Sequence, residues 1–333
     1  MTAPLSAQSK EEPILVGCIG VGNRGSVHLK NLLKIPNVRV AAICDTDPVH
    51  LSIAVDLVVK AGQPKPDTYD DWQKLLARKD IKAVVSALPC DIHARNYLDA
   101  LSARKDIYAE KPMAITLEDA NAVVKAAGRS DQMFQVGFQR RFEEQIIRSV
   151  SDVHAGDIGQ LVEGRIHWSI SWGPLGGWLG KAARSGDWMV EQAVHNWDVL
   201  NWANRSLPAM AMGMGRNDLY RDIPIRSDVL TNRFDKQPDR DVHDYYSAVV
   251  EYGNGALVNI LHSWMAPPQF NDEYTRLFGT LGAVDFNTGL FSYRSDLKKP
   301  DRKIETRPDL PHRDVAAMSA FLESVRTRKK PAA

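Results

Sequence analysis

The stretch ILVGCIGVGNRG, residues 14–25, decides the fold of the first half of this chain. Its first part is apolar and strand-like, and GVGNRG follows where a helix is predicted to begin. Gly20, Gly22 and Gly25 have the spacing of the dinucleotide fingerprint, in which missing side chains let the backbone approach a pyrophosphate at a helix N-terminus. The stretch therefore predicts a strand, a turn and a helix that together bind a dinucleotide.

An acidic residue further along the chain indicates which dinucleotide is bound. Asp45 follows the second predicted strand, VRVAAIC (38–44). A carboxylate there can accept both ribose hydroxyls of NAD and would repel the 2′-phosphate of NADP. We therefore expect NAD as the cofactor. Arg24 has two open interpretations, a contact to the adenine or phosphate side of the cofactor, or a solvated helix position.

The remaining pattern predicts two α/β domains. Up to about residue 140, short apolar runs alternate with amphipathic helical segments, which is typical of a parallel sheet with crossover helices. Predicted strands cover 14–20, 38–44, 83–88, 106–110 and 133–138, and predicted helices lie near 24–34, 48–60, 70–78, 92–103 and 117–128. Longer alternating runs with a tight turn at 253–255 predict a mostly antiparallel sheet in the second half, before a final helix within 314–330. We expect domains at 13–140 and 141–333.

Composition narrows the classes of partner. The 333 residues carry 42 Lys and Arg against 41 Asp and Glu, and this balance argues against a nucleic-acid or acidic membrane surface. No apolar run approaches a membrane span. Cys18, Cys44 and Cys90 are odd in number and favour a reducing, cytoplasmic location, although LSAQ near the N-terminus leaves a processed export signal open.

The segment MVEQAVHNWDVLNW, residues 189–202, is predicted to be one helix with a polar stripe. Glu191, His195 and Asp198 recur at spacings that place them on one face, opposite an apolar face. His195 could be a general base, with a carboxylate orienting its ring. Two alternatives remain: a structural buried histidine, or a metal site completed by other histidines. The histidines considered for that site are His167, His243 and His262.

A lysine at the predicted sheet edge offers a second catalytic group. Glu110, Lys111 and Pro112 follow the strand DIYAE, at the carboxyl edge where open α/β sheets bind ligands. The Lys111 ammonium could favour a developing alkoxide on a substrate. The alternative is a surface lysine paired with Glu110.

Aromatic residues suggest what the substrate is. Six of the eight tryptophans fall between residues 168 and 202, and indole faces suit the C–H face of a sugar ring. Trp172 and Trp178 are the substrate candidates among them. Arg140 or Arg141 could reach the same cleft, and Gln139 could lie near the nicotinamide carboxamide.

Several of these motifs together resemble the glucose-fructose oxidoreductase, inositol dehydrogenase and MocA family. They are GVGNRG, Asp45, SALPCDIHA, AEKP, VGFQRRF and EQAVHNWDVLNW. The resemblance implies a Rossmann domain followed by an α/β domain whose open, largely antiparallel sheet makes oligomer contacts, in a dimer or tetramer. It adds Asn23, Leu88, Pro89, His93, Glu110 and Lys111 as cofactor-site residues.

The resemblance also assigns catalytic roles. It places Lys111 at the nicotinamide and His195 in the catalytic helix, while Glu191 stands where the family has Asp. Asp198 matches a further acidic position and, with Arg141, is a substrate candidate. We expect no metal. The leading hypothesis is an NAD-dependent sugar or polyol dehydrogenase. A redox-neutral NAD-dependent glycosidase and a non-catalytic nucleotide-binding protein are the alternatives.

Overall fold

The first half of the protein forms a parallel sheet flanked by helices. The computed structural model describes residues 12–171, 176–220, 225–228, 230–231, 233–235 and 240–331. The strands of the first sheet are β1 (Ile14–Ile19), β2 (Val38–Cys44), β3 (Asp67–Tyr69), β4 (Ala83–Ser86), β5 (Asp106–Ala109) and β6 (Phe134–Val136). The helices around it are α1 (Asn23–Leu32), α2 (Pro48–Lys60), α3 (Trp72–Leu76), α4 (His93–Ser102) and α5 (Leu117–Gly128).

The strand order of this sheet creates a binding crevice. All neighbouring strands are parallel, in the order β3-β2-β1-β4-β5-β6. The chain moves outward from β1 in one direction and then crosses to β4 on its other side, so the loops after β1 and β4 separate at the carboxyl edge of the sheet. Such a switch point is where open α/β sheets bind ligands. The predicted strands and helices of this half are confirmed, with shorter bounds for α3 and β6.

The second half is built on a mixed sheet. Its helices are α6 (Glu144–His154), α7 (Ala182–Ser185), α8 (Asp187–Glu191), α9 (Val194–Asn204) and α10 (Arg313–Thr327). Its strands are β7 (Leu161–Ser169), β8 (Pro208–Arg216), β9 (Ile225–Asp228), β10 (Arg233–Asp235), β11 (Tyr245–Tyr252), β12 (Leu257–Ser263), β13 (Asp272–Gly279), β14 (Gly282–Asp285), β15 (Leu290–Tyr293) and β16 (Arg302–Lys303).

Eight of these strands form one sheet with helices on one face. The order is β16-β15-β14-β13-β7-β12-β11-β8, and within the described part of this sheet only β7 and β12 pair in parallel. The predicted hairpin is confirmed as β11 and β12. Strands β9 and β10 pair separately. The α/β fold class with a largely antiparallel second sheet is therefore confirmed.

The single helix predicted over 189–202 is wrong, because the chain breaks into α8 and α9. The Ala193 amide donates to the Trp188 carbonyl, and the His195 amide donates to Gln192 instead of Glu191. The Glu191 carbonyl is consequently left without its usual helical partner. Apolar and polar periodicity does not register such a break, since no Gly or Pro marks it.

The C-terminal helix belongs to the core of the first sheet. Met318, Phe321 and Leu322 on α10 are fully buried, in one cluster with Val16 of β1 and Leu29 of α1. Residues 141–333, predicted as one substrate and oligomerisation domain, therefore include a helix that packs on the nucleotide domain. No helix among the described residues combines the length and apolar character that a bilayer crossing requires.

Candidate active site

A cleft of about 1260 Å³ opens at the switch point between β1 and β4 and is lined by both halves of the chain. Most predicted site residues lie in its wall. They are Gly20, Gly22, Asn23, Arg24, Asp45, Leu88, Pro89, His93, Glu110, Lys111, Gln139, Trp178, Glu191 and His195. Three predicted residues lie elsewhere, namely Gly25, Arg141 and Asp198, and Trp172 lies outside the described residues.

The glycine turn shapes the floor of the cleft. A side chain at Gly20 would meet the Ala87 carbonyl, so Gly20 lets the turn after β1 approach the loop after β4. A side chain at Gly25 would collide with the carbonyl of Gly20, so Gly25 lets α1 pack closely on that turn. A Cβ at Gly22 would instead make only an ordinary contact, with the His50 ring at 3.5 Å. No side chain caps α1 at Gly22, and its first turn holds no acidic residue. The first amide groups of α1 are thus available to an anion.

Asp45 is held rigidly beside this turn. Its Oδ2 accepts a hydrogen bond from the Val21 amide at 2.8 Å, and its Oδ1 accepts one from the Asp47 amide at 2.9 Å. A carboxylate has further lone pairs on each oxygen, so the ribose hydroxyls of a dinucleotide can still bind. Farther along the cleft, Gln139 Oε1 is buried with no partner among the described residues. The residues present therefore fit NAD along the cleft.

Two interpretations were predicted for Arg24, a contact to the cofactor or a solvated helix position, and neither fully describes its contacts. It lies in the cleft wall, but its Nε donates to Glu110 at 2.8 Å and its Nη1 and Nη2 donate to Asp314 at 3.2 and 3.1 Å. His28 Nε2 also lies 2.6 Å from Glu110 Oε1. Burial opposes ionisation of Glu110, but Arg24, His28 and Lys111 hold its pKa well below the usual range. Glu110 is therefore a fixed buried anion behind the cleft.

Lys111 is paired with Glu191, so its predicted pairing with Glu110 as a surface residue is wrong. Its Nζ donates to Glu191 Oε1 at 2.5 Å and to the Glu191 carbonyl at 2.6 Å. That carbonyl is free because of the break between α8 and α9. The Lys111 side chain is only 9% exposed, and its backbone amide donates to Glu110. The break thus positions an ammonium in the cleft.

His195 lies in the same wall, almost completely buried. Its Nδ1 has no partner among the described residues, and Phe138 contacts its ring edge-on with centroids 6.4 Å apart. Burial, together with the nearby charges of Lys111 and Arg140, holds the pKa of His195 well below its usual range. The imidazole is therefore neutral at physiological pH.

Arg141 and Asp198 do not line the cleft, which corrects their prediction as substrate contacts. They pair with each other through three hydrogen bonds of 2.7 to 3.1 Å, and the Arg141 guanidinium lies over the Trp202 ring. The neighbouring Arg140 is the arginine in the wall. Consecutive residues of the 3₁₀ turn Gln139–Phe142 point in different directions, so one of the two arginines had to face away.

His93 has a structural contact at each ring nitrogen. Nδ1 lies 2.7 Å from the Pro112 carbonyl and Nε2 lies 2.8 Å from the Leu88 carbonyl. These contacts join the loop after β4 to the loop after β5. His93 thus stabilises the cleft wall through contacts with two backbone carbonyls. These contacts occupy both ring nitrogens, in place of the predicted direct contact with the cofactor.

The metal hypothesis on the catalytic helix finds no support in the geometry. Glu191 and Asp198 are engaged by Lys111 and Arg141, respectively. Of the predicted completing histidines, His243 contacts Asp187 and His262 contacts Tyr246, while His167 stacks on Tyr274. Among the described residues, the group with metal-like spacing is elsewhere, at Asp47, His50 and Asp228.

Several cleft residues were missed by sequence reasoning. Asp228 and Glu273 reach the cleft wall from distant segments, and Asp314 contacts Arg24 of that wall; each is an ordinary acidic residue in sequence. Glu273 Oε1 accepts a hydrogen bond from Arg140 at 2.8 Å. No short motif contains any of them, so only the packed chain identifies them.

The fold and cleft define a two-domain dinucleotide-binding protein, and comparisons specify its family. The family description "Oxidoreductase family, NAD-binding Rossmann fold" matches residues 14–138, and "GFO/IDH/MocA C-terminal domain" matches residues 151–285. The chain belongs to the GFO/IDH/MocA oxidoreductase family. The predicted resemblance and NAD as the cofactor are confirmed.

Individual relatives match over part of their length. A glycosyl hydrolase family 109 protein of Shewanella baltica is 32% identical over 159 residues, covering 46% of this chain and 35% of the relative. An inositol 2-dehydrogenase of Salmonella typhimurium is 30% identical over 190 residues, covering 56% and 53%. The chain thus spans about half or less of these relatives. The structure of a levoglucosan dehydrogenase with NADH and levoglucosan has a TM-score of 0.80 at 18% identity, covering 96% and 92%.

Proposed function

We propose that this protein is an NAD-dependent oxidoreductase that transfers hydride between a hydroxyl-bearing carbon of a sugar, sugar derivative or cyclic polyol and the nicotinamide. The observation that carries the proposal is the convergence of Lys111 and His195 in the cleft that also contains Gly22 and Asp45. Dinucleotide binding and proton transfer can therefore occur in one enclosed space.

Lys111 is the electrophilic partner of the reacting oxygen. Its ammonium has three donors, of which two are used by the carboxylate and carbonyl of Glu191. The remaining donor can hydrogen-bond the substrate hydroxyl. Because positive charge beside that oxygen stabilises an alkoxide more than a hydroxyl, the contact favours loss of hydride.

His195 is the proton acceptor. Its neutral imidazole can take the hydroxyl proton while the C–H electron pair leaves as hydride and the C=O bond forms. Burial makes His195 a weak base, so the alkoxide character that Lys111 supplies has to assist the transfer. When bound, NAD accepts the hydride.

The walls of the cleft support a carbohydrate ring as substrate. Trp168, Trp178 and Trp188 line it beside polar groups, and the Arg140 guanidinium lies over the Trp168 ring with 5.6 Å to its centroid. Indole faces bind the C–H face of a sugar while the polar groups bind hydroxyls. The names of the inositol and levoglucosan dehydrogenases agree with this class.

The test is a substrate panel with the purified protein. Sugars, cyclic polyols and aryl glycosides are incubated with and without NAD, while NADH absorbance and products by mass spectrometry are followed. NADH formed together with a ketone or lactone product supports the proposal. Absence of oxidation across the panel, with NAD demonstrably bound, contradicts it.

A redox-neutral glycosidase is the second candidate, favoured by the similarity to the glycosyl hydrolase family 109 protein. Transient oxidation acidifies the neighbouring C–H bond, elimination releases the aglycone, and water addition and hydride return complete hydrolysis. The same panel distinguishes this reaction, because aglycone would be released without accumulation of NADH.

We also propose that the protein is a homo-oligomer, a dimer or tetramer, in the cytoplasm. Edge strand β8 exposes Met210, Met212 and Met214 at 64 to 78%, beside exposed Val249 of β11. An apolar edge of this kind is a preferred association surface. Sedimentation of the parent and of Met212→Lys tests this, since a monomeric parent contradicts it. The three buried free cysteines support a reducing compartment.

A further inference from the structure

A hydrogen bond and an ion pair connect the β9–β10 pair of the second half to the start of α2 in the nucleotide domain. His50 Nε2 lies 2.7 Å from Asp228 Oδ2 at the end of β9. Arg233 Nη1, at the start of β10, donates to Asp47 Oδ2 at 2.5 Å. Both contacts join segments about 180 residues apart in sequence, as the separations of 178 and 186 residues show.

The contact between His50 and Asp228 lies in the cleft wall beside Asp45, and the Arg233 contact adjoins it at Asp47. His50 Nδ1 lies 3.6 Å from Asp45 Oδ1, and the His50 ring lies 3.5 Å from where a Cβ of Gly22 would be. Asp47, His50 and Asp228 all belong to the cleft wall. A ligand whose ribose binds Asp45 and whose pyrophosphate binds the start of α1 therefore lies beneath the two contacts.

The partial burial of these side chains favours the persistence of both contacts. The side chains of His50, Asp228 and Asp47 are only 14, 16 and 18% exposed, respectively, whereas Arg233 is 49% exposed. Partly buried pairs are screened less by salt than fully exposed ones. Asp47 also caps α2 through the Val49 amide, so its carboxylate is held in place from the domain side.

We propose that the β9–β10 pair is part of the dinucleotide site and acts as a clasp over the adenosine half of NAD, slowing its release. The clasp consists of Asp228 and Arg233 on the strands and of His50 and Asp47 on α2. The inference rests on the NAD-dependent function proposed above. Both contacts must open before the adenosine half can leave, so their free energy adds to the barrier for dissociation.

The experiment measures NADH dissociation from the full-length protein. Protein loaded with NADH is mixed with excess NAD, and the loss of bound-NADH fluorescence gives the release rate. Asp228→Asn and Arg233→Gln are each expected to speed release about threefold, and the double variant about tenfold, as weakening one hydrogen bond and removing one partly exposed ion pair allow. Arg294→Gln is the matched control, because Arg294 pairs with Asp296 outside the cleft wall.

The outcomes separate the clasp from the proposed function. A double variant that releases NADH at the parent rate overturns the clasp, whereas a parent that binds no NADH contradicts the proposed function instead. Faster release on adding EDTA to the parent would show that Asp47, His50 and Asp228 hold a cation, which also overturns it. If the double variant folds poorly, the salt dependence of release is compared instead: release from the parent that accelerates with KCl more than release from Arg233→Gln supports the clasp, and equal salt dependence contradicts it.

Discussion

At the scale of single residues, the chemistry of the cleft depends on which partner holds each charge. Lys111 and Glu191 form a buried pair, and the Glu110 carboxylate pairs with Arg24 and accepts a hydrogen bond from His28. The longer side chain of Glu at position 191, where the family pattern has Asp, does not leave a gap, because its carboxylate reaches the ammonium. Glu191 is the one residue that favoured a non-catalytic nucleotide-binding protein, and its contact with Lys111 removes that argument.

Lys111→Ala and His195→Ala are expected to lower kcat by about 100-fold or more, since each removes a group that acts on the reacting oxygen. NAD affinity should change little, because neither contacts the glycine turn. Steady-state kinetics and NAD titration measure the two effects.

The control for these variants tests the effect of leaving a buried charge without its partner. Lys111→Ala alone leaves the Glu191 carboxylate unpaired, so it should also destabilise the fold, while adding Glu191→Gln should restore stability but not turnover. Parent-like turnover in either single variant would contradict the assigned roles.

His195 also makes stability depend on pH. Its folded-state pKa is lowered by burial, so between that value and the unfolded pKa near 6.5 the unfolded chain binds the extra proton. Its contribution is fully present above about pH 6.5 and is lost as the pH falls. The free energy of unfolding is therefore expected to be smaller at pH 5 than at pH 6.5. Denaturant unfolding at both pH values should show a smaller decrease for His195→Gln than for the parent, and equal decreases would contradict this.

At the scale of elements, the fit between α1 and β1 depends on a missing side chain. Gly25→Ala would drive a methyl group into the Gly20 carbonyl, so we expect α1 to move off the sheet, with a loss of at least about 2 kcal/mol and of most NAD affinity. Thermal unfolding and NAD titration measure both.

Gly128→Ala is the matched control for this substitution. Gly128 ends α5, and nothing lies within 4 Å of where its Cβ would be. Helix propensity then predicts unchanged or slightly higher stability, by about 0.5 kcal/mol. If both variants lost stability equally, close packing at Gly25 would not be the cause.

At the scale of the whole molecule, the two ends of the chain complete one core. Phe321 of α10 is fully buried and packs edge-on against Tyr108 of β5, with ring centroids 5.9 Å apart. Nearby, Asp314 links α10 to Arg24 at the glycine turn. The nucleotide domain is therefore stabilised by the last helix of the chain.

Phe321→Ala should cost about 3–5 kcal/mol, since it leaves a cavity between α10 and the first sheet. Hydrogen exchange should show lost protection in β1 and β5, far away in sequence. Leu310→Ala, at a 37% exposed position, is the control and should change stability little. Loss of protection confined to the second sheet would contradict the packing described here.

The sequence by itself determined the features that local pattern encodes. The glycine spacing, Asp45 and the alternating apolar runs predicted the first sheet, its helices and NAD, because backbone sterics and strand or helix periodicity are local properties. The AEKP and EQAVHNWDVLNW motifs likewise indicated Lys111 and His195.

Only the tertiary structure decided which charges meet. The helix break at 192–193 freed the Glu191 carbonyl for Lys111, Arg141 turned away to Asp198, and Asp228 and Asp314 entered the site from distant segments. These pairings depend on long-range packing and on the cost of leaving a buried charge unpaired, and neither can be read from the spacing of residues along the chain.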